Sequence, residues 1–172
     1  MHILIRPEQT EDIAQIDQVN KLAFGGDFES RLVDKLRQGS SFIPALSLVA
    51  LLNEQVVGHI LFSKICIVRP AGTRVETLAL APVAVHPRVQ RKGIGGQLIR
   101  QGLAEARKLG FRSVIVLGHE HYYPRFGFRP AGHWHIEAPF AVPPAAFMAI
   151  ELVPDGLADV SGVVEYPPAF ED

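Results

Sequence analysis

One stretch of the chain combines residue types and spacing that suit the grip of an anion: Val83-Ala84-Val85-His86-Pro87-Arg88-Val89-Gln90-Arg91-Lys92-Gly93-Ile94-Gly95-Gly96. It reads as a strand passing through a basic, glycine-rich loop into a helix. Gly93, Gly95 and Gly96 let the backbone approach an anion without side-chain obstruction. The first amides of the helix have no helical carbonyl to pair with, and they point outward with the positive end of the helix dipole. Arg88, Arg91 and Lys92 add mobile positive charge. Together these features describe a cradle for a diphosphate. A glycine-rich turn that serves only the fold is the alternative. The loop has no Gly-Lys-Ser/Thr ending of a P-loop and no spaced Gly-x-Gly-x-x-Gly of a dinucleotide site, so both of those readings lack their own diagnostic residues.

The elements that must position this loop follow from periodicity. Ile3 to Arg6 predicts a short strand, and Thr10 can cap a helix that carries Glu11 and Asp12 in its first turn and sets Ile13, Ile16, Asn20 and Ala23 on one face. A second helix is expected over Phe28 to Arg37, with Phe28, Leu32 and Leu36 on its inner face. Leu48 to Leu52 and Val56 to Phe62 read as the arms of a hairpin turning at Asn53, Glu54 and Gln55, with a bulge expected at Gly58. Val75 to Val85 is apolar enough for a central strand, but Pro82 removes a ladder donor, so a break or bulge is expected there. Ile94, Leu98, Gly102, Leu103, Ala106 and Leu109 form a helical stripe ending at Gly110, and Ser113 to Leu117 follows as a buried strand. That strand, helix, strand unit predicts two parallel strands joined by a right-handed crossover. Beyond Phe128, prolines interrupt every long element, and one strand is expected, at Phe147 to Leu152. The organisation is mixed α/β. With neither repeat nor linker, residues 1–172 are read as a single domain.

Composition removes several classes of function. The chain has 17 basic and 18 acidic residues, a formal charge of -1, which leaves no broad cationic face for a nucleic acid. No apolar run approaches the roughly 20 residues that span a bilayer, and Met1 to Arg6 lacks a secretory pattern, so a cytoplasmic protein is expected. The one cysteine, Cys66, lies in the apolar run Ile60 to Val68 and reads as a buried hydrophobe rather than a nucleophile.

The loop Gln90-Arg91-Lys92-Gly93-Ile94-Gly95 resembles the pyrophosphate loop of the GNAT acetyltransferases, Gln/Arg-x-x-Gly-x-Gly/Ala. It follows a Val-x-Pro approach, Val85-His86-Pro87, and precedes Tyr123-Pro124-Arg125-Phe126-Gly127-Phe128, which is similar to the family's Tyr-x-x-x-Gly-Phe element. Tyr122, the Ala-Phe-Met segment around Phe147 and Tyr166-Pro167-Pro168-Ala169-Phe170 extend the resemblance, toward the YhbS-like branch, over nearly the whole chain. The resemblance implies the GNAT acyl-CoA N-acyltransferase fold, a central mixed twisted sheet with splayed parallel strands flanked by helices. It implies acetyl-CoA as cosubstrate, its pantetheine on Val83, Ala84 and Val85 and its pyrophosphate on Arg91, Lys92, Gly93, Ile94, Gly95 and Gly96, with Gln90 acting through packing or its side chain. It requires no metal.

Transfer to an amine needs a neutral amine and a proton for the departing thiolate. The resemblance gives that proton to Tyr123, whose phenol stays protonated at neutral pH. Packing of Tyr122 and Tyr123 beside Phe126 and Phe128 is the other reading. For the general base, Glu76 on the strand entering the cofactor slot is a candidate, as are His119, Glu120 and His121 just past the second parallel strand, or water. His119 with His121, and His133 with His135, alternate as metal ligands would, but neither pair brings an obvious third ligand. The Asn that often precedes the tyrosine element is absent, so the acceptor, a small-molecule or peptide amine, stays open, as does a homodimer. Two rivals remain: a coenzyme A-binding sensor or interaction domain without turnover, and an aminoacyl-tRNA acetylase, which would need a basic surface.

Overall fold

The computed structural model describes residues 1–171, and they carry a mixed α/β fold, a multi-stranded mixed sheet flanked by helices. In chain order the elements are β1 (Leu4–Pro7), α1 (Ile13–Phe24), α2 (Phe28–Arg37), β2 (Phe42–Leu52), β3 (Gln55–Val68), β4 (Arg74–Val85), α3 (Ile94–Lys108) and β5 (Ser113–Leu117). They continue with β6 (Arg129–Pro130), β7 (Ile136–Glu137), β8 (Phe147–Glu151) and β9 (Gly162–Glu165). Two compact units share this chain: the first is Met1–Ser63 with Ala81–Glu105, and the second is Lys64–Leu80 with the chain from Ala106 onward.

In the first unit β1 runs antiparallel to β2, and β2 to β3. Asn53 and Glu54 both adopt left-handed backbones (φ 50° and 66°), which suits a two-residue hairpin turn, and Leu52 pairs with Gln55 across it. The register shifts between Ala50↔Gly58 and Leu51↔Val56, so Val57 is the extra residue and the bulge lies immediately before the glycine where it was expected. Gly58 and its neighbour His59 face opposite sides of the sheet, as successive strand residues must. A methyl group on Gly58 would come within 3.0 Å of Leu98 and 3.3 Å of Ile94, so α3 packs on that face. The same face brings Gly102 of α3 onto the ring of Phe62. The other face takes α1, whose Asn20 meets His59, and α2, whose Leu32, Val33 and Leu36 are buried.

Two local expectations change here. Thr10 does not cap α1: Thr10–Asp12 form a 3-10 turn, and the Gln9 N–H donates to Asp12 Oδ2 at 2.7 Å. Arg6 fixes that carboxylate at 2.6 and 3.2 Å. Phe28 does not join the inner face of α2; it is 47% exposed.

In the second unit β4 pairs parallel with β5, registered at Ala79↔Ile115, and the Thr77 and Ser113 hydroxyls share a buried hydrogen bond of 2.7 Å. β5 runs antiparallel to β8 from Ser113↔Glu151 to Leu117↔Phe147, and β6 pairs with the far side of β8. The end of β3 pairs with β9, which pairs parallel with β7. Ile65, Ile67, Ala79, Ile115, Phe147 and Ala149 belong to its core. Gly110 (φ 93°) ends α3 as expected, with the Phe111 N–H returning to the Ala106 carbonyl at 3.1 Å. Leu109, expected on the inner stripe, is 49% exposed.

β4 runs unbroken through Pro82, where a break or bulge was expected, and the irregularity there is a cis Ala81–Pro82 peptide. The proline-rich tail holds β8 as predicted, and also β6, β7 and β9, which with two to four residues each are too short to show a period. Cys66 is half-buried, not enclosed, and faces Glu165 in the β3–β9 pair.

Candidate functional site

The basic loop belongs to the first unit and is held at each end by its own backbone. The His86 N–H, at the exit from β4, donates to the carbonyl of the bulge residue Val57 at 2.8 Å. Pro87–Val89 form a 3-10 turn in which the Val89 N–H returns to the His86 carbonyl at 2.9 Å and the Arg88 N–H donates to His86 Nδ1 at 3.2 Å. Gln90 Nε2 donates to the Val85 carbonyl at 2.9 Å. The Gln90 side chain is therefore spent on the loop itself. Arg91 (φ 64°) and Gly93 (φ 83°) then take left-handed backbones that turn the chain into α3. Nothing lies within 4 Å of a methyl group on Gly93, so its need for glycine is conformational and not steric.

The first helical bond of this turn is donated by the Gln97 N–H to the Gly93 carbonyl at 3.0 Å. The amides of Ile94, Gly95 and Gly96 precede it and have no carbonyl of α3 behind them. The Ile94 and Leu98 side chains are fully buried against Gly58, which fixes the direction of these amides relative to β3. Arg88, Arg91 and Lys92 are exposed, and none has a carboxylate partner among the described residues. Three uncompensated cations beside unpaired amides fit a phosphorylated ligand. Val83 and Val85 are half-buried and Ala84 is buried, at the end of β4 leading into this loop.

Tyr123 lies in the second unit, at the start of the 3-10 turn Tyr123–Phe126, which Gly127 (φ 103°) closes. Its ring is 7% exposed and meets Tyr122 edge-on at 5.1 Å and Phe128 at 5.7 Å between centroids. Burial, aided by Tyr122, pushes its phenol up to about 12, so it holds its proton at neutral pH. Sequence reasoning missed Gly118, whose α-carbon lies against that ring; the available signal was a glycine directly after a buried strand.

The candidates for the general base are all at the surface of the second unit. Glu76 is exposed on β4, and its carboxylate has no hydrogen bond or ion pair among the described residues. His119, Glu120 and His121 are exposed too, with His121 Nε2 3.6 Å from Glu120. Among the described residues no group of three His, Cys, Asp or Glu side chains is placed to hold a metal ion, and no helix is long and apolar enough to cross a membrane. A cavity of about 360 Å³ in the first unit, unforeseen from the sequence, is lined by α1 and the 86–89 turn, including Gln15, Gln18, Gln55, His86 and Arg88.

Comparison with known proteins gives consistent likenesses. The model of the acetyltransferase (GNAT) family matches residues 13–128. The uncharacterized N-acetyltransferase YjhQ of Escherichia coli K12 is 40% identical over 143 residues, 83% of this chain and 78% of that protein. The uncharacterized N-acetyltransferase YhbS of the same strain is 34% identical over 169 residues, 98% of each. Among solved structures, Escherichia coli YhbS in complex with CoA superposes with a TM-score of 0.92 at 32% identity, covering 100% of this chain and 93% of that one. A GNAT family acetyltransferase from Brucella melitensis in complex with acetyl-CoA gives 0.81 at 37% identity, covering 99% of both.

Proposed function

The chain belongs to the acetyltransferase (GNAT) family, and from that premise we propose that it binds acetyl-CoA and transfers the acetyl group directly to a primary amine of a small molecule or peptide. The observation that carries this reading is the set of free α3 amides at Ile94, Gly95 and Gly96 beside the uncompensated Arg88, Arg91 and Lys92. Two relatives in solved structures, at 32% and 37% identity, hold CoA and acetyl-CoA. On this reading Arg91 to Gly96 hold the pyrophosphate, chiefly through backbone amides, and Val83, Ala84 and Val85 receive the pantetheine by main-chain pairing. Gln90 keeps the loop closed through the Val85 carbonyl. All of residues 1–172 serve this one domain, in the cytoplasm.

In the reaction the amine lone pair forms a bond to the thioester carbon, the carbon–sulfur bond breaks, and the amine's surplus proton leaves to a base. Glu76, one of His119, Glu120 and His121, or water takes that proton. Tyr123 donates its proton to the departing thiolate. A phenol raised to about 12 is fully loaded with that proton at neutral pH, and a positioned general acid contributes about 10²–10⁴-fold. Specificity for the acceptor is set elsewhere.

The burial of Tyr123 also supports a second reading, in which its ring only packs and the chain senses coenzyme A without turnover. A screen of amines and peptides for acceptor-dependent release of free thiol from acetyl-CoA separates the two. Release with at least one primary amine is the expected result; tight acetyl-CoA binding without release from any acceptor would establish the sensor.

A further inference from the structure

A buried histidine ties both amino-terminal helices to the sheet of the first unit, apart from the basic loop. His59 on β3 is 0% exposed, and both of its ring nitrogens are engaged. Asn20 on α1 places its amide nitrogen 3.0 Å from the Ile16 carbonyl and 3.3 Å from His59 Nδ1. An amide nitrogen only donates, so Nδ1 accepts and the ring proton sits on Nε2. Nε2 donates to Ser47 Oγ on β2 at 3.0 Å, and the Ser47 hydroxyl donates to the Glu8 carboxylate. Arg37 of α2 clamps Glu8 through Nε at 2.8 Å and a terminal nitrogen at 3.1 Å. Donors running from Asn20 through His59 and Ser47, and from Arg37 on the opposite side, thus converge on the Glu8 carboxylate and link α1, β3, β2, the segment after β1, and α2.

This arrangement accepts only the neutral imidazole. A proton on Nδ1 would face the Asn20 amide N–H groups, donor against donor. Turning the amide over would offer the Asn20 carbonyl oxygen, which is buried and has no partner in the present orientation. The same turn removes the donor from the Ile16 carbonyl and sets an oxygen against it. Left as it is, the amide loses its bond to β3 on protonation; turned over, it keeps a bond to the ring but gives up its hydrogen bond to the Ile16 carbonyl within α1.

We propose that His59 is an acid-released latch: neutral, it fastens α1 to β3 through Asn20, and its protonation loosens the amino-terminal helix pair from the sheet. The charged groups bearing on the ring are Glu8, 3.8 Å from Nε2, and Arg37; Asp34 pairs with Arg37 from the exposed side. α1 brings the neutral Asn20 to the ring, and its Asp17–Lys21 pair is at the surface. Burial lowers the His59 pKa from 6.5 to about 4, with Glu8 working against the shift and Arg37 adding to it. Because the latched form has the depressed value, the loosened form binds the proton more tightly, and the latch weakens as pH falls from 6.5 toward 4.

The test is hydrogen exchange of the α1 amides at pH 7.5 and 5.0, corrected for intrinsic rates, with α3 as the internal reference. α1 should lose protection roughly tenfold or more at pH 5.0, α3 much less, and His59→Gln should flatten the α1 response. An equal response in α1 and α3, or one that survives in His59→Gln, would overturn the latch. If His59→Gln does not fold, ring NMR of the unaltered protein decides. A proton on Nε2 and titration well below 6.5 would support the latch, and titration near 6.5 or a proton on Nδ1 would refute it.

Discussion

The α-carbon of Gly118 lies directly against the ring of Tyr123: a methyl group there would overlap Cε2 and come within 3.1 Å of Cδ2. The residue directly after β5 therefore sets where the phenol sits, and the position of Tyr123 depends on a glycine five residues before it.

That contact makes Gly118→Ala a probe of Tyr123. The added methyl should displace the ring, lowering kcat at least about tenfold while leaving the Kd for acetyl-CoA nearly unchanged, since it leaves the basic loop intact. Tyr123→Phe, which removes only the hydroxyl, should lower kcat by about 10²–10⁴-fold. Steady-state kinetics with a calorimetric Kd measure both, and full kcat in Tyr123→Phe would reduce the ring to packing.

Gly102 tests how α3 is seated. A methyl group on Gly102 would run into the fully buried ring of Phe62, with Cζ at 2.6 Å, so Gly102→Ala should destabilise the protein by about 1–3 kcal/mol. Urea unfolding measures the loss. Phe62→Leu, harmful alone, should recover part of it in the double variant; strict additivity of the two changes would show that the contact is not what the methyl disturbs.

The Arg6–Asp12 pair carries a pH signature. The Arg6 hydrogen bond holds the Asp12 carboxyl below its ordinary value of 3.8, against the opposing effect of burial. A carboxyl depressed on folding contributes stability that is present above its unfolded value and is lost as pH falls through the folded one. Asp12→Asn should therefore cost about 1–2 kcal/mol at pH 7, by losing the charge on both Arg6 and the Gln9 N–H. Unfolding midpoints of the two proteins should draw together as pH falls below the ordinary carboxyl value of 3.8, and a constant gap would place the effect elsewhere.

The parts of the molecule legible in its sequence are those whose signal is local. Phe28–Arg37, Ser113–Leu117 and the Gly110 stop carry their period or backbone requirement in consecutive residues, and each appears where it was read. The basic loop was legible for the same reason, because glycines, cations and a helix start are adjacent in the chain. What depended on partners distant in sequence was not. β9 is a strand because the end of β3 pairs with it, Asp12 is held in the turn before α1 because Arg6 reaches it, and Gly118 matters only through the ring it touches. His59 shows the limit most clearly, since nothing near Val57-Gly58-His59 announces the Asn20 and Ser47 groups that enclose it.

The central claim is that the free amides at the start of α3 grip the diphosphate of acetyl-CoA, and calorimetric titration of acetyl-CoA into the protein and into folded Gly95→Glu tests it most directly. Saturable one-to-one binding by the unaltered chain, with none detectable once a carboxylate stands among those amides, is the predicted result. Equal affinity in both proteins would contradict it.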